Sequence, residues 1–433
     1  MTEEESIVLK GAEISKELFG GVFDSDGAGF YPGLELINLI FCSGSEILPN
    51  SGSAKIVRRA HDFTRRLVWD DSFSSQPGRR DTLLDYESEE ALRQMFECLQ
   101  LPIPGLRKAP TWARAHFFPY TRSLIHWDAK DRKKRGKEVS MERQYFRGGG
   151  AMAFHVLRVD QDKSRHSEIV EGFKNLYPDS DSPLERVAAE FARNGHSDAS
   201  PVEDQLEGKT VILNDSLEDL YRDGIKRVLS HNNLSGVSRI RAVINWTAFW
   251  LICMQVKRSA FAANDTDKHL ICDCGGTSPQ LRRASQRCLI EIQSLIASAV
   301  SALVDEKDGD LPKKQLNNLK AFFTSTAATI GLLNARTGRR HFSPGLDLVE
   351  TLVLAGIEEG GEMTFDAFLF EWLHQKCGLI IGRRAAEGTG VISSLDAGIF
   401  EDNEEALAAQ MAAQGLLTTY SDATRMVNTI GLQ

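Results

Sequence analysis

His269, Cys272, Cys274 and Cys288 are the residues of this 433-residue chain whose types and closeness come nearest to a metal site. Zinc is held by thiolates and imidazoles, commonly paired two to four residues apart, and the step from His269 to Cys272 meets that spacing. Cys272-Asp-Cys274 is too tight for a common zinc knuckle, and Cys288 would have to reach in from a helix. The alternative is that His-Leu-Ile-Cys-Asp-Cys-Gly-Gly forms a short buried strand running into a glycine turn ahead of a helix, with cysteine serving as a small hydrophobe. That reading needs no metal, and no cofactor is expected. Asp160-Gln-Asp162-Lys163 sets two carboxylates and a lysine after an apolar stretch, the outline of a metal-dependent nuclease site. Such short combinations arise by chance in a chain with 60 acidic residues, and no other nucleophile or acid pair emerges. Gly148-Gly149-Gly150 lacks the Gly-Lys-Ser/Thr ending of a nucleotide-binding loop. It reads either as a turn between elements or as a place where backbone closely approaches a phosphate or a partner. The expectation is a protein without catalytic machinery of its own.

The strongest chemical signal is electrostatic. Residues 107–147 carry twelve Lys/Arg side chains against Asp128, Asp131, Glu138 and Glu142, inside a chain whose formal net charge is -9. Interleaved are Trp112, Phe117, Phe118, Tyr120, Trp127, Tyr145 and Phe146. Cations neutralise phosphates and flat rings stack on bases, so nucleic acid is the expected partner, DNA ahead of RNA. The competing explanation is a solvated loop whose aromatics belong to the core. A second basic stretch over residues 53–69 reads as a helix that gathers its cations loosely toward one side. The expected contact residues are Arg58, Arg59, Arg65, Arg66, Trp112, Trp127, Lys130, Arg132, Lys133, Lys134, Arg135, Lys137 and Arg147.

The elements that must position these residues follow from composition and periodicity. Hydrophobic residues at 42% and charged residues at 26% describe an ordinary globular chain. No uninterrupted apolar run approaches the ~20 residues of a bilayer span. The acidic start, Met1-Thr-Glu-Glu-Glu-Ser, differs from a secretory signal, and seven cysteines without a dense framework fit reduced thiols. A cytoplasmic location without membrane contact is therefore expected. The length suggests several domains: a mixed N-terminal domain over 1–200, an α-helical bundle over 201–345 and a winged-helix-like domain over 346–433. The fold class expected is mainly α with minor β. Residues 238–263, broken by Arg239, Arg241, Lys257 and Arg258, are still too apolar for a surface helix and read as a buried central helix, followed by helices from Pro279 and from Leu311-Pro312. Residues 195–201 read as a linker or exposed loop.

Near the C-terminal end, Thr364 is placed to cap a helix ending near Gly378. A short strand at 379–381, a helix at 401–413 and two short strands over 416–427 follow. Helix, strand, helix and hairpin in that order outline a winged helix-turn-helix. The helix that would enter a DNA groove begins with Glu401, Asp402, Glu404 and Glu405 and has no Lys or Arg, the wrong sign for a major groove. Protein docking is favoured over DNA reading for this module.

Cys272-Asp-Cys274-Gly-Gly leading to Leu281-Arg-Arg-Ala-Ser285, together with Gly378-Leu-Ile-Ile-Gly382, Asn403, Gly415-Leu-Leu and Ser421-Asp422-Ala423, resembles accessory proteins of prokaryotic anti-phage defence clusters. The resemblance is confined to residues from Cys272 onward. It implies other protein subunits as partners, an ATPase, a helicase or a DNA-modifying enzyme among them. Together these expectations describe a non-catalytic, nucleic-acid-contacting adaptor of a multi-protein complex. Two competitors are a purely structural assembly protein without nucleic-acid contact and a divergent metal-dependent nuclease.

Overall fold

The computed structural model describes residues 7–23, 32–42, 47–49, 55–56, 87, 90–91, 94–95, 98–99, 117–125, 128–130, 140–142, 149–177, 181–194, 202–203, 216–265, 268–420 and 424–432. Helices dominate the described residues. In chain order they are α1 (Gly11–Phe19), α2 (Pro32–Cys42), α3 (Gly150–Arg158), α4 (Lys163–Lys174), α5 (Pro183–Asn194), α6 (Ser216–Ser230), α7 (Gly236–Ala262), α8 (Pro279–Glu306), α9 (Lys313–Thr329) and α10 (Leu346–Gly356). A one-turn helix α11 (Phe365–Ala367) runs directly into a π-helical segment, Phe368–Lys376, and α12 (Arg383–Gly388) and α13 (Ala397–Ala413) complete the set. The strands are short: β1 (Ile7–Val8), β2 (Lys55–Ile56), β3 (Asp128–Lys130), β4 (Ser140–Glu142), β5 (Val202–Glu203), β6 (Leu270–Ile271), β7 (Gly309–Asp310), β8 (Glu362–Thr364), β9 (Leu379–Ile380), β10 (Leu417–Thr419) and β11 (Arg425–Asn428).

Helix α7 is the axis of the molecule, as its all-round apolar sequence predicts. Ser235 caps it, its Oγ accepting from the Ser238 amide. Helices α1, α2, α6, α8, α9 and α10 all pack on α7. Its two tryptophans are fully buried, and each indole N–H donates to a carbonyl of α6, Trp246 to Tyr221 and Trp250 to Leu217. Trp250 stacks on Tyr221 at 4.2 Å and Trp246 on Trp372 of the π-helical segment at 5.8 Å. The glycine at 224 makes room for this: a Cβ there would stand 2.3 Å from the Trp246 ring. Two long polar side chains of α7 find partners inside the molecule. Gln255 donates to the Leu319 carbonyl, and Arg258 donates to the Phe19 carbonyl and pairs with Glu218.

One buried apolar cluster takes in Phe19 and Phe23, then α2 to α4, the helices around α7, and Leu407, Met411 and Val427 near the C-terminal end. It therefore includes residues of all three segments expected from composition. Phe23 stacks on Phe322 of α9 at 4.8 Å, and β1 pairs in parallel with β7, tying the first described residues to the loop after α8.

Helix α8 runs the length expected from Pro279, with Ser278 Oγ accepting from the Leu281 amide. Among the described residues it is the one helix long and apolar enough to cross a membrane by length and composition, with a mean hydropathy of 1.6 over its best window. Its polar residues are scattered along the helix, so its average is apolar although no uninterrupted apolar run spans it. Its Leu281, Leu289, Ile292 and Ile296 face the core. Helix α9 ends at Thr329, short of the Leu332 expected, where Gly331 turns back with φ of 75°.

The C-terminal elements keep the expected order, with corrections. Thr364 Oγ1 accepts from the Ala367 amide, and Gly378 ends the π-helical segment with φ of 74°. Helix α13 starts at Ala397 rather than Glu401, because the Asp396 side chain accepts from the Gly398 amide and sets the start a turn earlier. Strands β8, β10 and β11 form an antiparallel sheet in the order β10-β11-β8, whereas β9 leaves that sheet and pairs in parallel with β6.

Candidate functional site

The pairing of β6 with β9 brings two loops side by side at the carboxyl ends of the strands, 272–276 and 381–383. Asn403 of α13 joins them and uses both faces of its amide. Nδ2 donates to the Cys272 and Ile381 carbonyls at 3.0 and 2.9 Å, while Oδ1 accepts from the Cys274 and Gly275 amides at 2.7 and 3.4 Å. Two turns on, Gln410 Nε2 donates to the Cys274 carbonyl at 2.9 Å. An isolated β6-β9 pair two residues long would leave these backbone groups unpaired, so the side chains of α13 complete what the strands cannot.

Asp273 lies at the centre of the first loop with its side chain 1% exposed. Its Oδ1 accepts from the Gly276 amide at 2.8 Å. Its Oδ2 faces Arg282 Nε of α8 at 3.6 Å and His341 Nε2 at 3.8 Å, ion-pairing contacts longer than a hydrogen bond. Burial holds the His341 imidazole below its ordinary pKa; Asp273 opposes that shift and Arg282 adds to it. Arg282 also donates to the Gly276 carbonyl, so one guanidinium clasps the whole turn.

His341 closes a hairpin-like turn over residues 334–341. Its amide donates to Asn334 Oδ1 at 2.9 Å, the Asn334 amide donates to its carbonyl at 3.1 Å, and Gly338 takes φ of 87° at the tip. Phe342 fastens this turn to the Asp273 loop: its carbonyl accepts from the Asp273 amide at 2.9 Å and its amide donates to Ser285 Oγ of α8 at 2.8 Å. The first turns of α8, with Arg282, Arg283 and Arg287, are thereby anchored beside a turn bearing Arg336, Arg339 and Arg340. Arg283, Arg287 and Arg339 are exposed and Arg340 half-buried. Among the described residues no carboxylate ion-pairs with these four, whereas Arg165, Arg222, Arg258, Arg383 and Arg425 each meet one. The signal for this basic surface is in the sequence: no acid lies between Asp273 and Glu291, and none between Asp310 and Asp347.

The C-terminal elements hold a cavity of about 400 Å³ between the π-helical segment, α12 and α13, lined by Asp366, Phe370, Arg383, Arg384, Glu401 and Glu404 among others. Arg384 sits 3.8 Å above the Phe370 ring. Arg383 pairs with Glu387 and Glu401. Burial pushes the Glu404 carboxyl above its ordinary pKa, with its bond from the Arg383 amide opposing.

Of the residues expected to contact nucleic acid, Arg58, Arg59, Arg65, Arg66, Trp112, Trp127, Arg132, Lys133, Lys134, Arg135, Lys137 and Arg147 lie outside the described residues. Lys130 ends β3, paired across the ladder with Ser140 of β4. The basic helix expected over 53–69 gives way at 55–56 to strand β2, which pairs with β5; the rest of that stretch, like the expected linker at 195–201, lies outside the described residues. Phe117 and Phe118 are buried, so these two rings of the basic segment belong to the core rather than to a stacking surface.

The other motifs find structural uses. Burial raises the thiols of Cys274 to about 12 and Cys288 to about 11 and carries Cys272 well above its ordinary value. The Cys272 and Cys288 thiols point at the carbonyls of Leu270 and His269. They behave as the small hydrophobes of the buried-strand reading. Asp160 is held by the Arg165 guanidinium at 2.7 Å and Asp162 caps α4 through the Ser164 and Arg165 amides, so both carboxylates of the nuclease-like motif are engaged. Gly149, at φ of 91°, starts α3, and the Gly150 amide donates to Glu35 Oε2 at 2.7 Å. A Cβ on Gly150 would stand 2.3 Å from the Pro32 carbonyl oxygen, so the close backbone approach is to α2. Compared with protein-family models, with curated proteins and with solved structures, the chain matches none.

Proposed function

We propose that this protein is a non-catalytic adaptor subunit of a multi-protein complex, contacting nucleic acid through the basic segment 107–147 and other subunits through its C-terminal module. The observation that carries the first half is charge segregation, twelve cations against four acids in one segment of a chain of net charge -9. Diffuse surface charge serves solubility; concentrated charge of the minority sign serves a partner of the opposite sign. The engagement of Asp160 with Arg165 and of Asp162 with the α4 amides supports the non-catalytic half, because both acids of the nuclease-like motif have structural partners.

For the C-terminal module, a winged-helix-like arrangement fits the order of α10, β8, the π-helical segment, α13 and the β10-β11 hairpin. Helix α13 buries Phe400, Asn403, Leu407 and Met411 and turns acids outward, which suits protein docking rather than entry into a DNA groove. The cavity beside it, where Arg384 covers Phe370 and acids surround Arg383, is the place for a subunit contact. A purely structural assembly role is the second reading, favoured by the same consumption of α13 inside the molecule.

The test is binding of a labelled DNA duplex across a salt series, by wild type and by a variant with Arg132, Lys133, Lys134 and Arg135 all changed to Ala. Each phosphate contact contributes about 0.9 to the slope of log affinity against log salt, so the variant should lose up to about 3.6 of slope. An unchanged slope removes this cluster from the interface, and absence of wild-type binding at low salt leaves the structural assembly role standing.

A further inference from the structure

We infer that the arginine surface formed by the first turns of α8 and the 334–341 turn is a second nucleic-acid docking site, one that grips the phosphate backbone of a duplex. The inference rests on the adaptor reading above and locates a contact surface in the folded body of the molecule. Arg283 and Arg287 are one helical turn apart, about 6 Å along the axis, and so share one face of α8. Arg339 and Arg340 approach from the neighbouring turn, which Phe342 bonds to both Ser285 of α8 and Asp273. The scaffold under these four is cross-linked: Asp273 faces Arg282 from one side and His341 from the other, and Asn403 bonds the loop that carries Asp273.

Two features select the ligand. First, the guanidinium groups of Arg283, Arg287, Arg339 and Arg340 lack carboxylate partners among the described residues, in a protein whose other described arginines mostly have them. Guanidinium forks pair with phosphate oxygens in a bidentate manner. Second, residues 275–290 and 334–340 contain no aromatic side chain. Single-strand binding gains its sequence-tolerant affinity from rings stacked on bases, so a surface of arginines without rings suits a backbone whose bases are already paired.

The test compares the full-length wild type with the variant R283A/R287A/R339A/R340A, using a fluorescein-labelled DNA duplex between roughly 50 and 200 mM salt. Four lost phosphate contacts should lower the salt slope by up to about 3.6, corresponding to a loss of up to roughly a thousandfold in affinity near physiological salt. The lysine variant R283K/R287K/R339K/R340K should recover most of the slope, since the charge returns without the fork. Arg283, Arg287 and Arg339 are exposed and Arg340 half-buried, and an unchanged thermal melt confirms the fold. A quadruple alanine variant that binds with the wild-type slope overturns the inference. If the Arg132 to Arg135 variant is defective in the same assay, the adaptor reading survives that result; if neither variant is defective, both fall. Binding of poly-glutamate or of anionic lipid vesicles that is as tight as duplex binding, and equally lost in the alanine variant, would assign the surface to an acidic protein or a membrane and overturn the nucleic-acid identity.

Discussion

Replacing Asn403 by Ala should be among the most destabilising changes available to a single polar side chain here, although it removes few atoms. The side chain is 3% exposed and makes three bonds of 2.7 to 3.0 Å plus a longer one of 3.4 Å. Counting about 1 kcal/mol net for each of the three short bonds gives a floor of about 3 kcal/mol. Alanine also leaves the Cys272 and Ile381 carbonyls and the Cys274 amide without the partner that Asn403 provides, which raises the expected loss to about 3–5 kcal/mol. Asn403→Asp is the sharper probe. It keeps the acceptor for Cys274 but sets an oxygen against two carbonyl oxygens, so it should be no milder than Ala. Gln410→Ala, which loses one bond to Cys274, should cost about 1 kcal/mol. Urea unfolding followed by the fluorescence of the buried tryptophans gives the free energies. Hydrogen exchange at the Cys274 amide reports the same bond locally. An Asn403→Ala loss below about 1 kcal/mol, or an aspartate milder than alanine, would refute the view that α13 completes the β6 and β9 loops.

Two further perturbations test packing elsewhere in the fold. Burial pushes the Asp160 carboxyl up, but bonds from Arg165 and the Asp162 amide, with the charges of Arg165 and Arg222, bring it below its ordinary value. A depressed carboxyl stabilises the fold above its unfolded pKa of about 3.9 and loses that contribution as pH falls through the lower folded value. Asp160→Asn should thus destabilise by roughly 3 kcal/mol at neutral pH, and urea midpoints of variant and wild type should draw together as pH falls below the ordinary carboxylate value of about 3.9; a constant gap would refute it. Gly150→Ala should cost at least about 1–3 kcal/mol by pushing α2 from α3, while Gly388→Ala, where a Cβ meets nothing within 4 Å, should be near neutral; equal thermal shifts would refute the close-approach argument.

The parts of the fold that could be read in advance are those where one local pattern decides the outcome. An apolar run with no polar face must be surrounded, and α7 is. Thr364 and Pro279 announce helix starts, and Gly378 a stop, because such signals act within one turn. The strand before Cys272 was readable as buried, but its partner was not, since β9 lies over a hundred residues away and two-residue pairing leaves no pattern. Asn403 is part of the resemblance noted in the sequence, but its bridging of two loops was not legible, because an asparagine inside a helix is ordinary until its neighbours in space are known. The arginine surface left only an indirect trace, two acid-free stretches whose meeting in space is not written in either. Its cations come from two stretches of modest density that Phe342 fastens together, whereas residues 107–147 stand out because their charge is consecutive. Phe117 and Phe118 went the other way: adjacency to cations suggested a stacking role, and burial decided otherwise.

The cluster that joins Phe19 to Val427 also constrains how the molecule is made. A nascent chain displays Phe19, Phe23 and the apolar face of α2 long before α7 is synthesised, and the loop that presents Asp273 emerges well ahead of the asparagine that secures it. Contacts so distant in sequence form slowly and leave apolar surface open in the interval. Ribosome-bound intermediates halted before α13 should therefore bind chaperones strongly, and release from them should coincide with the arrival of Asn403.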